Sequence, residues 1–489
     1  METRQLDKKS CVESQLDRKA WEEGKWRKFE DSLIPRYGDS LAKEITEAMR
    51  ELYSIYNVDV VKWFANLFDP EIGGCYYSNS GRDYEQTTYN GVTYKLLPDL
   101  ESTYQGLGIA YTSLIDTKET ERIPAWVGER IVKFIKGLQD KESGYFYHPQ
   151  WGKEATDKFP QRRGRDLQWA VRLLERFGSA PTYDTPMGTK GDGILADGTP
   201  ADMNGAYRYV PETKEEIEKT KKSVAPQLVD KESFEKYLSE NKIGSGKYDN
   251  SYTIGNRIAS QGPEILARDK ALKAGGADYS LCDILKNWFD GYFNYKTGTW
   301  SDCSESEIKY VDVNGILKVS AAYNCVERPL PDPVASMRAV LSVITSDADP
   351  VHVCSVLNPW FAISNIRTNV EKFTPAKEKE EAKKEIDKIR KELGSHYPAL
   401  IRATKEKLAL FVKPDGSFSY YKNNTAFCSQ GMPVAYEAVN EGDLNATNIC
   451  QFGILGHIFS VLGVETVPVF TEEDRLEYIS ILEKNAKIL

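Results

Sequence analysis

The sequence contains few histidines and carries no excess of positive charge. Only 4 of its 489 residues are histidine, and its formal net charge is −9. Proteins that bind nucleic acids present a basic surface to the phosphates, so we expect no nucleic-acid partner. No set of histidine, cysteine and acidic residues has the spacing of metal ligands, and we expect no catalytic metal.

Long apolar runs and paired cysteines are also absent. No stretch of 18 apolar residues occurs, and residues 1–26 contain no apolar core of a secretory signal. The 8 cysteines are scattered without a C-x-x-C pair, which is typical of free thiols in a reducing compartment. Neither a P-loop nor a dinucleotide-binding fingerprint is present. These features predict a cytoplasmic protein with no cofactor and no membrane partner.

Helical periodicity dominates the sequence. Apolar residues recur at three- and four-residue spacing in LAKEITEAMRELYSIYNVDVVKWFANLFD, PAWVGERIVKFIKGLQD and TNICQFGILGHIFSVLG. Strand-like alternation is short and confined to loops. We therefore predict an all-α protein with short β-hairpins in its loops. We expect an N-terminal helical extension at 1–40, followed by a single catalytic domain at 41–489.

A repeat links two aromatic loops. The segments WFANLFDPEIGGCYYSNSGRD and KFIKGLQDKESGYFYHPQWGK align without gaps, 71 residues apart, and looser copies begin at Leu285 and Leu408. The matched positions are Leu67 with Leu138, Asp69 with Asp140, Gly73 with Gly144 and Tyr76 with Tyr147. Each copy combines the end of an apolar helix, an acidic turn, a glycine and alternating aromatics, which predicts stacked helical hairpins.

The segment LQDKESGYFY at 138–147 resembles the Q-D-x-x-G-x-[FW] repeat of the α/α-toroid superfamily, which includes terpenoid cyclases, prenyltransferases and many carbohydrate-active enzymes. The resemblance covers 45–462. It implies an α/α toroid, a barrel of helical hairpins whose aromatic loops rim a central cleft. The chain lacks the D-D-x-x-D and D-x-D-D segments of the cyclases and the zinc ligands of the prenyltransferases. Its residue inventory is most similar to that of toroid-type polysaccharide lyases.

Aromatic and polar side chains crowd the predicted loops, above all in GYFYHPQWGK at 144–153. Aromatic faces stack on sugar rings, and arginine forks pair with carboxylates. His148 is the one histidine flanked by both aromatic and polar residues, whereas His352 and His457 lie in apolar surroundings that predict core positions. The predicted catalytic residues are His148, Tyr207, Asn204, Asp99 and Glu101. The predicted substrate-binding residues are Arg82, Tyr147, Gln150, Trp151, Arg163, Arg165 and Arg208.

Three functions fit this inventory. The favoured one is a lyase that cleaves an acidic oligo- or polysaccharide by β-elimination, in which a histidine or tyrosine removes the proton beside the uronic carboxylate. A glycoside hydrolase would instead use two carboxylates. Its candidates are Asp83, Asp99, Glu101, Asp166 and Asp302. The third alternative is a carbohydrate-binding protein without catalytic groups.

Overall fold

The computed structural model describes residues 8–113, 123–209, 224–244 and 250–487. Helices make up 58% of the protein and strands 6%. The prediction of a mainly helical protein with short antiparallel hairpins is therefore confirmed.

The α-helices of the described residues are α1 (Lys8–Tyr53), α2 (Val60–Ala65), α3 (Asn79–Asp83), α4 (Leu100–Ser113), α5 (Ala125–Gly137), α6 (Gly152–Asp157), α7 (Pro160–Arg176), α8 (Lys231–Glu240), α9 (Ser251–Ala259), α10 (Gly262–Ala274), α11 (Leu281–Asp290), α12 (Tyr310–Cys325), α13 (Pro333–Ile344), α14 (Cys354–Lys372), α15 (Ala376–Glu392), α16 (Tyr397–Leu408), α17 (Leu444–Asn448), α18 (Ile454–Leu462) and α19 (Glu472–Lys487). A π-helix, Ile449–Gly453, joins α17 to α18. Short 3-10 helices occupy Pro226–Leu228, Glu305–Glu307 and Gly394–His396.

The strands form two-stranded antiparallel hairpins. These are β1 (Phe68–Asp69) with β2 (Gly74–Cys75), β3 (Gln86–Tyr89) with β4 (Val92–Lys95), and β5 (Cys428–Ser429) with β6 (Met432–Pro433). In register, Phe68 lies opposite Cys75, Thr87 opposite Tyr94, and Ser429 opposite Met432.

Short polar residues begin several helices. Their side chains accept a hydrogen bond from a backbone N–H of the first turn, which would otherwise have no partner within the helix. The residues that do this are Ser78, Asp230, Asn250, Ser280, Asp332 and Asp443.

Helix α1 contains a break near the predicted boundary at residue 40. Gly38 has φ +76° and ψ 164°, outside the helical range. Before the break, Trp26, Phe29 and Leu33 are 0–5% exposed and pack into the same core as Ile45 after it. Residues on both sides of the break therefore share one core.

Six helical segments contact one another in a closed circuit. Helix α4 contacts α7, α7 contacts α9, α9 contacts α12, α12 contacts α14, and α14 contacts α18. The π-helix and α17, which precede α18, contact α4 again. The helices that lie between these segments in sequence are α5, α6, α8, α10, α11, α13, α15 and α16. The chain thus alternates between helices that belong to the circuit and helices that do not.

Glycines allow two helices of the circuit to approach closely. A Cβ atom on Gly315 of α12 would lie 1.9 Å from the Ser251 hydroxyl of α9. A Cβ atom on Gly255 of α9 would lie 2.9 Å from Cβ of Lys318 on α12. Any larger residue at either position would separate the two backbones. This contact brings the side chains of Tyr252 and Lys318 together.

The repeated loops form the same kind of turn. Gly73 and Gly144 have φ values of +88° and +70°. Each donates its N–H to the carbonyl of the aspartate four residues earlier, at 2.8 and 2.9 Å. Tyr76 and Tyr147 each donate to a leucine nine residues earlier, both at 2.9 Å. The looser copies also close as turns, at Asn294–Thr299 and Val412–Phe418.

Candidate functional site

His148 is buried rather than open to a cleft. Its side chain is 1% exposed, and its Nε2 lies 2.6 Å from the Pro98 carbonyl oxygen. Its Nδ1 accepts the N–H of Gln150 at 3.2 Å. Burial lowers the pKa of His148 to about 4, so the ring is neutral at pH 7. Both ring nitrogens are engaged, which fits a structural role, and we do not retain His148 as a catalytic residue.

The neighbours of His148 hold the loop against a distant strand. Gln150 Nε2 and Trp151 Nε1 both donate to the Pro433 carbonyl, at 2.8 and 3.2 Å. The guanidinium of Arg162 covers the Trp151 ring, 4.2 Å from its centroid, and Trp151 is only 6% exposed. A sugar ring cannot reach a face that a guanidinium already covers. The stacking role predicted for Trp151 therefore has no support in this geometry.

Asp99 and Glu101 belong to a buried ion-pair network around Arg162. The Arg162 guanidinium lies 2.9 Å from Asp99, 3.3 Å from Glu101 and 3.0 Å from Asp166, and all four side chains are 2% exposed or less. Asp99 also caps α4 by accepting the N–H of Ser102 at 3.1 Å. Burial raises the pKa of Asp166 to about 7. This network joins α4 to α7 and leaves Asp99 without access to a substrate.

The other predicted residues lie apart from one another. Arg82 pairs with Asp83 at 2.7 Å, and Tyr147 donates to Asp157 at 2.9 Å. Asn204 is exposed in a turn. Tyr207 and Arg208 line a small pocket with Tyr145 and Glu264, and the Arg163 guanidinium covers the Tyr145 ring at 4.6 Å. The structure does not bring these residues together with Asp99 or His148 in one cleft.

Arg165 is the predicted substrate-binding residue that contacts two other helices of the circuit, α4 and α9. Its Nη2 donates to Asn256 Oδ1 at 2.6 Å, and its Nε donates to the Ser260 hydroxyl at 3.2 Å. Its Nη1 lies 3.6 Å from Glu101. The side chain keeps 20% of its area exposed. Arg165 is therefore an oriented cation that solvent can reach.

Lys318 lies near Arg165, on helix α12. Its side chain is partly exposed, and its Nζ sits 5.7 Å from the centroid of the Tyr252 ring. Burial, together with the positive charge of Arg165, lowers the pKa of Lys318 to about 7. Near neutral pH a large fraction of the amine is uncharged and can accept a proton.

Three aromatic rings lie beside Lys318. The His352 ring is nearly parallel to the ring of Tyr252, at 6.2 Å and 26°, and to the ring of Tyr420, at 5.2 Å and 23°. Burial lowers the pKa of His352 to about 4 and raises the pKa values of both tyrosines. At pH 7 the histidine is neutral, and each tyrosine keeps its hydroxyl proton.

We define Arg165, Tyr252, Lys318, His352 and Tyr420 as the central cluster. Sequence reasoning had found only Arg165 and had predicted that His352 is a core residue. A signal for Lys318 was available, since it is the one charged residue in the apolar run VNGILKVSAAYN. The tyrosines carried no such signal, because 28 tyrosines are spread along the chain.

Three members of the central cluster lie near the N-terminal ends of helices. Arg165 is in the second turn of α7, Tyr252 is the second residue of α9, and His352 lies two residues before α14. Helix N-termini carry partial positive charge, and Arg165 is a cation. Both favour an anionic group beside these residues.

The chain has no recognisable relative among known proteins. No protein-family model matches the chain, and neither a curated protein nor a solved structure shows significant similarity to it. Among the described residues, no group of three or more histidine, cysteine or acidic side chains is arranged to hold a metal ion. Within the same part of the chain, no helix has the length and apolar character needed to cross a membrane.

Proposed function

We propose that the protein is an α/α-toroid lyase that cleaves an acidic oligo- or polysaccharide by β-elimination at the central cluster. The observation that carries the proposal is the make-up of that cluster. It joins an oriented arginine, a lysine of lowered pKa and two protonated tyrosines. These are the groups that removal of a proton beside a carboxylate requires.

The toroid part of the proposal is supported by the circuit of helix contacts. The six segments of the circuit alternate along the chain with helices outside it, as expected for a ring of helical hairpins. The four repeated turns follow helices α2, α5, α11 and α16, which lie outside the circuit. Arg165 and Lys318 lie on α7 and α12 of the circuit, and we propose that the central cluster faces the inside of this ring.

Each group has a defined task in the proposed reaction. Arg165 pairs with the uronic carboxylate and stabilises the charge that develops on it. The neutral amine of Lys318 takes the proton from the carbon beside the carboxylate. The electron pair of that bond forms a carbon–carbon double bond, and the bond to the glycosidic oxygen breaks. Tyr252 or Tyr420 donates its hydroxyl proton to the departing oxygen, and solvent restores both protonation states.

The hydrolase alternative has less support. Two carboxylates would have to face the substrate from opposite sides of the bond. The carboxylate beside Arg165 is Glu101, whose side chain is 1% exposed and held by Arg162 and Ser429. Asp99 and Asp166 both accept hydrogen bonds from Arg162, and Asp83 pairs with Arg82.

Incubation with a panel of acidic and neutral oligosaccharides tests the proposal. We expect new ultraviolet absorbance from the conjugated double bond with uronides and none with neutral sugars. Tyr252→Phe and Tyr420→Phe should identify the proton donor, because loss of that donor lowers kcat by about 100-fold or more. New reducing ends without absorbance would indicate hydrolysis instead. Binding without any cleavage would indicate a carbohydrate-binding protein.

A further inference from the structure

The turn between strands β5 and β6 has an uncommon backbone. Gln430 has φ +51° and Gly431 has φ +91°. Glycine and asparagine adopt this left-handed conformation readily, whereas a longer side chain such as that of glutamine pays a steric cost. Strain of this kind persists where the surrounding structure enforces it, often at functional sites.

The Gln430 side chain leads to the central cluster through one residue. Its Oε1 accepts a hydrogen bond from Asn256 Nδ2 at 3.0 Å. Asn256 Oδ1 in turn accepts a hydrogen bond from Arg165 Nη2 at 2.6 Å. The three side chains form one chain of bonds that ends on the guanidinium.

The tip of the turn is docked against the start of the helix that carries Arg165. A Cβ atom on Gly431 would lie 2.4 Å from the ring of Phe159, the residue before α7. Gln161 in the first turn of α7 donates to the Gln430 carbonyl at 3.4 Å. These two contacts, of Gly431 with Phe159 and of Gln430 with Gln161, fix the turn relative to α7.

We infer that Gln430 is a positioning residue for Arg165 and acts through Asn256. An asparagine amide has a donor end and an acceptor end. While Gln430 engages the donor end, the acceptor end of Asn256 must face the guanidinium. Without Gln430 the amide can rotate and present N–H groups to Arg165, which has only donors. The guanidinium then loses the bond that sets its orientation toward a substrate carboxylate.

This inference rests on the proposed role of Arg165, and it is tested by a measurement that needs no substrate. In protein carrying isotope-labelled arginine, the Nε–H signal of Arg165 is assigned from its loss in Arg165→Lys. We expect Gln430→Gly to broaden or shift that signal, although glycine relieves the backbone strain. Gln430→Asn tolerates the same backbone but is one methylene too short to reach Asn256, so it should have the same effect.

Glu327→Gly is the matched control. Glu327 also has a left-handed backbone, with φ +57°, and its exposed side chain lies 3.7 Å from Lys270, far along the chain from Arg165. The control relieves the same kind of strain and should leave the Arg165 signal unchanged. With an acidic substrate, both Gln430 variants should raise KM by about tenfold with a smaller effect on kcat.

The outcomes separate the inference from the proposed function. An unchanged Arg165 signal in both Gln430 variants would overturn the positioning role. A changed signal in a protein that cleaves no uronide would support the positioning role and reject the lyase. A changed signal together with the rise in KM supports both.

Discussion

The charge of Lys318 depends on effects that lower its pKa and effects that raise it. Burial disfavours its ammonium form and Arg165 repels it, while Glu101 favours it. The first two effects are stronger, and the pKa falls to about 7. Burial that disfavours the charged form of a side chain lowers the stability of the folded protein. Strongly shifted pKa values of this kind are characteristic of functional residues.

Replacement of Lys318 should therefore separate activity from stability. Lys318→Met removes a half-buried amine whose ammonium form is disfavoured, and we expect the free energy of unfolding at pH 7 to rise by about 1–3 kcal/mol. The same variant should lose at least about 100-fold in kcat, because methionine cannot accept a proton. Urea denaturation and the ultraviolet assay measure the two effects. Loss of stability with retained turnover would contradict the role of Lys318 as the base.

The pH profile gives a second test of Lys318. Only the neutral amine can take the proton, so kcat/KM should rise with pH, with a midpoint near pH 7. A bound carboxylate favours the ammonium form, so the midpoint of the kcat profile should lie at higher pH. A kcat/KM that falls as pH rises through 7 would indicate that the charged form is the active one.

Arg162 stabilises three carboxylates at once. Arg162→Met leaves Asp99, Glu101 and Asp166 buried without their cation, and we expect a loss of about 3–5 kcal/mol in the free energy of unfolding. Arg402→Met is the control, because Arg402 makes its 3.0 Å pair with Glu51 on the surface and should change stability by less than about 1 kcal/mol. Urea denaturation at pH 7 compares them. Equal losses would contradict the importance of the buried network.

At the scale of the elements, the repeated turns depend on the missing side chain of a glycine. A Cβ atom on Gly144 would lie 2.3 Å from the Asp184 carbonyl oxygen, in addition to the strain of a positive φ. Gly152 has a similar φ of +74°, but a Cβ atom there would meet nothing within 4 Å. The two positions separate steric overlap from backbone strain.

We expect Gly144→Ala to destabilise the protein by more than about 3 kcal/mol and Gly152→Ala by about 1–2 kcal/mol. The difference between the two reports the collision with the Asp184 carbonyl. Urea denaturation of both variants at pH 7 measures it. Equal losses of stability in the two variants would show that the collision with the Asp184 carbonyl does not destabilise Gly144→Ala.

Local sequence predicted the elements better than it predicted the site. The helices follow from apolar periodicity, and the repeat of Gly73 and Gly144 identified turns that share their hydrogen bonds. The loop at 144–153 was predicted to be catalytic, because its composition is aromatic and polar. The side chains of Gln150 and Trp151 in this loop instead donate hydrogen bonds to the carbonyl of Pro433, which lies 282 residues from Trp151. A contact over that separation leaves no trace in the local sequence, and the same applies to the approach of Tyr252 and Tyr420.

At the scale of the whole molecule, the buried histidines contribute to the effect of acid on stability. Burial lowers the pKa values of His148, His352 and His457 to about 4 each. The unfolded chain binds these protons near pH 6.5, so between pH 6.5 and 4 it holds more protons than the folded protein. These three histidines therefore lower the stability as the pH drops through this range. The buried carboxyls of Asp166, Asp443 and Glu264 have raised pKa values and act in the opposite direction.

In His148→Asn, we expect the free energy of unfolding to depend less steeply on pH, by up to about 1.4 kcal/mol per pH unit. The variant removes one proton that the unfolded chain binds and the folded protein does not. The contribution of Asp166 is common to both proteins and cancels in the comparison. Urea midpoints measured from pH 7 to pH 4 give the slopes. An unchanged slope in His148→Asn would mean that this ring is protonated in the folded protein.

The closure of the helical circuit has a consequence for biosynthesis. Gln105 of α4 meets Asn445 of α17 across 340 residues, and Ser78 meets Glu441 across 363. A ribosome that adds roughly 5–20 residues per second needs on the order of 20–70 s to make the intervening chain. Throughout that time, the surface of α4 that later contacts α17 stays exposed. Surfaces exposed in this way during synthesis are ones that chaperones bind. Tyr420 emerges late in the same interval, so the catalytic centre that we propose is assembled only shortly before the circuit of helix contacts closes.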